Sequence, residues 1–133
     1  MRKFLFILLS LLSFSVYAQK GKVEKQKKFD SKYVLLKEMY KDQFFPKKCV
    51  DKVAKEIKTV IVYIEQGGHS EDHIQAKFDK MTFEINKLQA CFEDNDSEIE
   101  TVARESISET VEYILQYFNI NIEYEEALRN RDW

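Results

Sequence analysis

The chain has 133 residues, with 21 Lys and Arg against 23 Asp and Glu, and is 44% hydrophobic and 33% charged. That balance supplies enough apolar surface for a packed core and excludes a disordered polyelectrolyte. One Pro and three Gly in so long a chain exclude a fold of many short strands and turns, and predict an all-α protein with long helices.

Residues 1–18, MRKFLFILLSLLSFSVYA, have the three-part build of a secretory signal peptide. Arg2 and Lys3 precede an apolar run from Phe4 to Val16, which closes on Val16-Tyr17-Ala18, with small residues where a signal peptidase reads. As a helix the run spans about 20 Å at ~1.5 Å per residue, short of the ~30 Å hydrocarbon core. An uncleaved anchor is therefore disfavoured, and no stable membrane anchor is expected after cleavage. No Cys sits at the junction, which argues against a lipoprotein. The expected location is beyond the inner membrane, periplasmic or secreted. Cleavage leaves 19 basic residues against 23 acids, a charge of about −4, in one domain-sized product.

Charge along that product is uneven. From Lys20 to Lys32 six lysines stand against Glu24 and Asp30, with few apolar side chains, so 19–32 reads as a lysine-rich flexible leader and 33–133 as the helical domain. From Glu93 to Trp133 twelve acids stand against Arg104, Arg129 and Arg131, a net of −9. This acidic third argues against nucleic-acid binding, which needs a basic footprint.

Tyr33 to Tyr40 reads as a first short helix, ended by the segment up to Pro46. Pro46 pre-sets the start of a second helix, in which Val50, Val53, Ala54, Ile57, Val60, Ile61 and Ile64 share one face. Gly67-Gly68 stops it. Ser70 caps a third helix with Glu71 and Asp72 in its first turn, and Ile74, Phe78, Met81, Ile85, Leu88 and Phe92 repeat at alternating steps of four and three. Asn95-Asp96 makes a turn, and Ser97-Glu98-Ile99-Glu100 has the pattern of a capping box, with Ser97 as cap and Glu100 reaching back. A fourth helix carries Ile99, Ala103, Ile107, Val111, Ile114 and Phe118 on one face, with Glu98, Glu105 and Glu112 roughly opposite. Glu100 and Arg104 form an i, i+4 pair. Asn119 or Asn121 caps a short last helix through Ala127-Leu128. The predicted architecture is a compact antiparallel bundle of about four to five helices.

In an exported protein two Cys are read first as a disulfide. Cys49 and Cys91 each lie 21 residues from Ser70, so an antiparallel hairpin of the second and third helices brings them to the same open end. Cys49 is in phase with the apolar face, whereas Cys91 falls toward the flank of Lys80 and Lys87. The bond therefore requires the helix to end near Leu88 or to roll slightly.

Few residues suggest chemistry. His69 and His73 are four apart with Glu71 and Asp72 between them, a spacing that can hold a metal, but the pair straddles a helix start and lacks the H-E-x-x-H order. Asp94 to Glu105 has the acids of a calcium loop but Ile99 where the loop needs Gly. Glu98, Glu105, Glu109 and Glu112 are carboxylates without a predicted cleft to shift them, and a solvated or partner-facing surface is the simpler reading. No nucleophile elbow, phosphate-binding loop or dinucleotide fingerprint occurs, and no cofactor is implied. Phe44, Phe45 and Trp133 would mark a contact site if gathered at the surface.

The segments DQFFPKKCVDKVAKEI, SEIETVARESISETVEYI and RNRDW resemble a family of small bacterial proteins, domain-of-unknown-function family 5713. The likeness covers Tyr33 to Trp133, and on its most specific block Ser97, Glu98, Glu100, Arg104 and Glu105 match. The resemblance implies the domain boundaries and the helical fold, and names no activity. Two features depart from the family's pattern: the signal peptide with its leader, and Cys49 and Cys91 where an apolar and a polar residue are expected. Both suit an oxidising space. The functional expectation is an exported, non-enzymatic protein-binding module whose acidic C-terminal third, with Glu109, Glu112 and Trp133 as contacts, meets a basic protein. An immunity or inhibitor protein against a basic toxin or hydrolase is one alternative. A metal- or carboxylate-dependent hydrolase using Glu98, Glu105 and Glu109 with His69 or His73 is the other.

Overall fold

Two long apolar stripes set the frame of the structure, a computed structural model that describes residues 27–133. The expected signal peptide and most of the expected leader lie outside the described residues. Five helices follow in order: α1 (Lys37–Lys41), α2 (Lys47–Glu65), α3 (Glu71–Glu93), α4 (Thr101–Tyr117) and α5 (Tyr124–Ala127). The described residues contain no strand.

Pro46 sits at the N-cap of α2 with φ −62°, where its missing N–H removes no helical bond. Every residue of the predicted α2 stripe is buried, together with Cys49. Gly67 and Gly68 take φ of 72° and 77° after the helix. A Cβ on Gly68 would meet nothing within 4 Å, so glycine there supplies the backbone angle rather than space. Ser70 Oγ accepts the His73 N–H at 3.2 Å, the predicted cap of α3. The α3 stripe turns Ile74, Phe78, Met81, Ile85 and Phe92 into the core with Leu88 at its edge. α2 and α3 pack along their lengths as an antiparallel hairpin.

Cys49 and Cys91 are disulfide-bonded at the open end of that hairpin, with Cα atoms 5.9 Å apart. Cys91 is half-buried at the flank of α3, close enough for the bond without an early helix end.

The capping box does not form. Helix α3 closes in a left-handed turn: Asp96 has φ 58°, its N–H reaches the Glu93 carbonyl at 3.2 Å, and the Ser97 N–H reaches the Phe92 carbonyl at 2.8 Å. Ser97 is thereby committed to ending α3. Residues 98–100 belong to no helix, and α4 starts at Thr101 with Glu100, in extended conformation, at the cap and no side-chain capping bond. The Ser97 hydroxyl is buried without a hydrogen-bond partner. Arg104 donates to Thr101 Oγ1 at 3.2 Å instead of pairing with Glu100.

α4 ends the same way, with Asn119 at φ 55° and the Ile120 N–H on the Leu115 carbonyl at 2.8 Å. Asn119 is therefore used as a helix stop, and α5 begins at Tyr124 with Glu123, and neither Asn119 nor Asn121, at its cap. The first helix is also shorter than the sequence suggests. Leu36, fully buried, takes φ 55° and donates its N–H to Thr110 Oγ1 of α4 at 3.1 Å, so Tyr33–Leu36 cross α4 as a non-helical strap before α1 starts.

The C-terminal RNRDW segment is pinned along α3. Gln75 donates to the Glu126 carbonyl, Arg129 forks onto Asp79 at 2.7 and 3.0 Å, Asn86 donates to the Asn130 carbonyl and Gln89 donates to Asp132 at 2.6 Å. Burial raises the Asp79 carboxyl, but the hydrogen bonds from Arg129 and Gln75 outweigh it and hold the group below its ordinary value. The pinning carries Trp133 into the core, with Arg131 over its ring.

Candidate functional site

Helix α4 turns one face outward, and its residues at i, i+4 and i+7 are Glu105, Glu109 and Glu112, all exposed. Glu98 stands exposed just before the helix. Three ion pairs form among the described residues, Lys87–Glu84, Arg129–Asp79 and Arg129–Glu126, and none uses this stripe. Gln116 donates to Glu112 at 3.4 Å, which neutralises nothing. Like charges one helical turn apart oppose the helix by a few tenths of a kcal/mol each (~0.2–0.5), so the stripe is held against mild self-repulsion. Glu109 also borders a cleft of about 420 Å³ between α4 and the strap, lined by Lys32, Tyr33, Lys37, Glu38, Ser106 and Thr110.

The structure does not bring the histidines to these carboxylates. His69 stacks on Tyr63 at 3.6 Å between centroids, with its Nε2 buried and unpartnered, and His73 is exposed in the first turn of α3. No three His, Cys, Asp or Glu side chains converge into a metal-binding group among the described residues. Asp94, Asn95 and Asp96 belong to the turn that ends α3. Phe44, Phe45 and Trp133 are not gathered at the surface: Phe44 is exposed, Phe45 packs edge-on to Phe92, and Trp133, expected as a partner contact, is buried. Its indole Nε1 has no hydrogen-bond partner.

One feature escaped the sequence reading. The end of the lysine-rich segment, residues 27–32, lies against the domain. Phe29 packs on Tyr113, Tyr117 and Phe118 at 6.0, 5.3 and 5.8 Å, and Tyr33 stacks on Tyr113 at 3.8 Å. The Tyr113 hydroxyl donates to Asp30 at 2.6 Å, the Tyr117 hydroxyl donates to the Lys28 carbonyl, and the Phe29 N–H donates to Glu65 at 2.8 Å. Lys27 sits 4.1 Å over the Tyr117 ring. The Tyr113 hydroxyl and the Lys32 amide hold the Asp30 carboxyl below its ordinary value, and that carboxylate pushes Tyr113 up to about 12. The signal was a matched spacing: Phe29 and Tyr33 are four apart, as are Tyr113 and Tyr117, so two rings on each side meet. On its other side the strap leaves an apolar groove against α2, lined by Val34, Leu35, Tyr40, Ala54, Ile61 and Val62 among others.

No helix among the described residues is long and apolar enough to cross a membrane. A family model described as a family of unknown function, DUF5713, matches residues 29–133. No curated protein and no solved structure matches the chain.

Proposed function

We propose that this chain, which belongs to the DUF5713 family of unknown function, is an exported, non-enzymatic module that binds a basic protein through the acidic stripe of α4. The observation that carries the reading is the stripe itself: Glu105, Glu109 and Glu112 are exposed at successive turns of one helix face and without an internal ion pair, with Glu98 exposed just before the helix. Opposite charge on a partner relieves the stripe's self-repulsion and speeds encounter more than it adds raw affinity. The same geometry disfavours a hydrolase. Acid–base carboxylates need a cleft that shifts their pKa, and the clefts that Glu109 and Glu112 border have neither histidine among their lining residues. The Cys49–Cys91 bond supports the export part of the reading, because structural disulfides persist in oxidising compartments.

The test is capture from the native cell envelope with the exported protein as bait. A basic protein retained at low ionic strength and released at ~1 M salt, where the Debye length falls to ~3 Å, is the expected result. Retention that ignores salt, or equal retention by Glu105→Gln/Glu109→Gln/Glu112→Gln, refutes it.

A further inference from the structure

The groove beside the strap has a floor of Ala54 and Ile61, both buried, and walls of Phe29, Tyr33 and Leu35, and encloses about 440 Å³. Val34, Tyr40 and Val62 stand on its rim with 57%, 38% and 54% of their surfaces exposed. These three are half of the large apolar side chains that the described residues expose. Single exposed apolar residues are ordinary, but three around one apolar depression mark an interaction surface. No residue of α4 lines the groove, so it is a different surface from the acidic stripe.

The charge beside it is of the opposite sign. α2 exposes Lys47, Lys48, Lys52, Lys55 and Lys58, and none of them enters an ion pair among the described residues. Against these five lysines α2 carries three acids, Asp51, Glu56 and Glu65, a net of +2. Asp51 accepts the Tyr40 hydroxyl at 2.6 Å and Glu65 accepts the Phe29 N–H, which orient the two carboxylates without neutralising them. Lys58 lines the groove, and Lys55 shares its helix face with Lys58 and Val62, three and seven residues on. From Ala54 to Val62 the α2 side of the groove runs about 12 Å at ~1.5 Å per residue, a little over two helical turns. Such a groove takes side chains at i, i+4 and i+7 of a docked helix.

We propose that this groove docks an amphipathic helix of a protein partner that carries carboxylates along one flank. Its apolar face fills the depression between Val34 and Val62, and its acids meet Lys58 and Lys55. A second copy docked two-fold on the same surface sets lysines of α2 against lysines of α2, so the charge selects an acidic partner over self-association.

The probes are two synthetic amphipathic helices of about 15 residues, long enough to be helical, with the same leucines and a flank of either Glu or Lys. Each is titrated into isotope-labelled protein purified after export by its own leader, and amide chemical shifts are followed. The expected result is shifts gathered at residues 34–40 and 54–62, with the Glu peptide binding about tenfold or more tighter than the Lys peptide at low salt. Val62→Asp removes this binding about tenfold or more while thermal unfolding stays unchanged, since the side chain is more than half exposed. Shifts elsewhere, no shifts, no preference for the Glu flank, or undiminished binding by Val62→Asp overturns the proposal. Shifts of the same residues with protein concentration alone identify a second copy as the occupant and overturn it too.

Discussion

Reducing the Cys49–Cys91 bond perturbs the unfolded chain more than the folded one, and its effect can be worked from the structure. The bonded residues are 42 apart in sequence. Closing a loop of that length removes roughly 13 cal/mol/K of chain entropy from the unfolded state, or about 4 kcal/mol at room temperature. In the native state the two cysteines are already brought together by the α2–α3 hairpin, so little native structure should change on reduction. For a domain of this size each kcal/mol moves the midpoint by ~4 °C, so the melting temperature should fall by about 15–20 °C. The assay is circular dichroism with and without a phosphine reductant, with non-reducing mass spectrometry to confirm the bond. The helical signal at low temperature should persist in both forms. A reduced protein that melts within ~5 °C of the oxidised one refutes the loop-closure reasoning, and two free thiols in protein made under oxidising conditions refute the staple itself.

Ser97→Ala discriminates between the two accounts of the α3–α4 connection. A capping serine costs about 1 kcal/mol to remove, whereas a buried hydroxyl without a partner is itself destabilising, so the structure predicts a gain of roughly 1 kcal/mol in chemical unfolding. Ser70→Ala, at a cap that does form, should lose about 1 kcal/mol in the same assay. The Asp30–Tyr113 bond should stabilise the strap only within a pH window. Asp30 is held below 3.8, so its contribution is complete above that value and fades as pH falls through the folded value. Tyr113 is raised from 10.0 to about 12, so its contribution is complete below 10.0 and fades as pH rises toward 12. The melting difference between wild type and Tyr113→Phe should be largest between those limits and shrink on both sides; a difference that ignores pH refutes the assignment. Trp133→Ala should cost about 3–5 kcal/mol, as for other buried aromatics, and a loss below ~1 kcal/mol would contradict its place in the core.

What was legible in the sequence was whatever one helix decides for itself. The α2 and α3 stripes follow the helical period without interruption, Gly67-Gly68 and Ser70 punctuate them, and from that hairpin the cysteine pairing follows by symmetry about the turn. The exposed stripe of Glu105, Glu109 and Glu112 was readable for the same reason. Errors came where two local preferences compete. Ser97 suits a helix start, but the preceding turn uses its N–H to finish α3, and that closure wins. Asn119 suits a cap and equally suits the left-handed stop that it forms. Leu36 breaks the first helix because burying its side chain and bonding Thr110 outweighs the αL strain, a balance set by α4, more than seventy residues away. Trp133 and the strap rings likewise depend on contacts far apart in sequence, 44 residues for the Asn86–Asn130 bond that pins the C-terminus and 80 for Tyr33 and Tyr113 (113 − 33), so composition could count them but not place them.

Photo-crosslinking from a side chain placed at position 109, with position 83 on the exposed surface of α3 as the comparison, asks whether the acidic stripe meets a basic protein. Irradiation of intact cells should join position 109 to a single basic protein that position 83 does not capture. No adduct at position 109, or the same adducts from both positions, would contradict that contact.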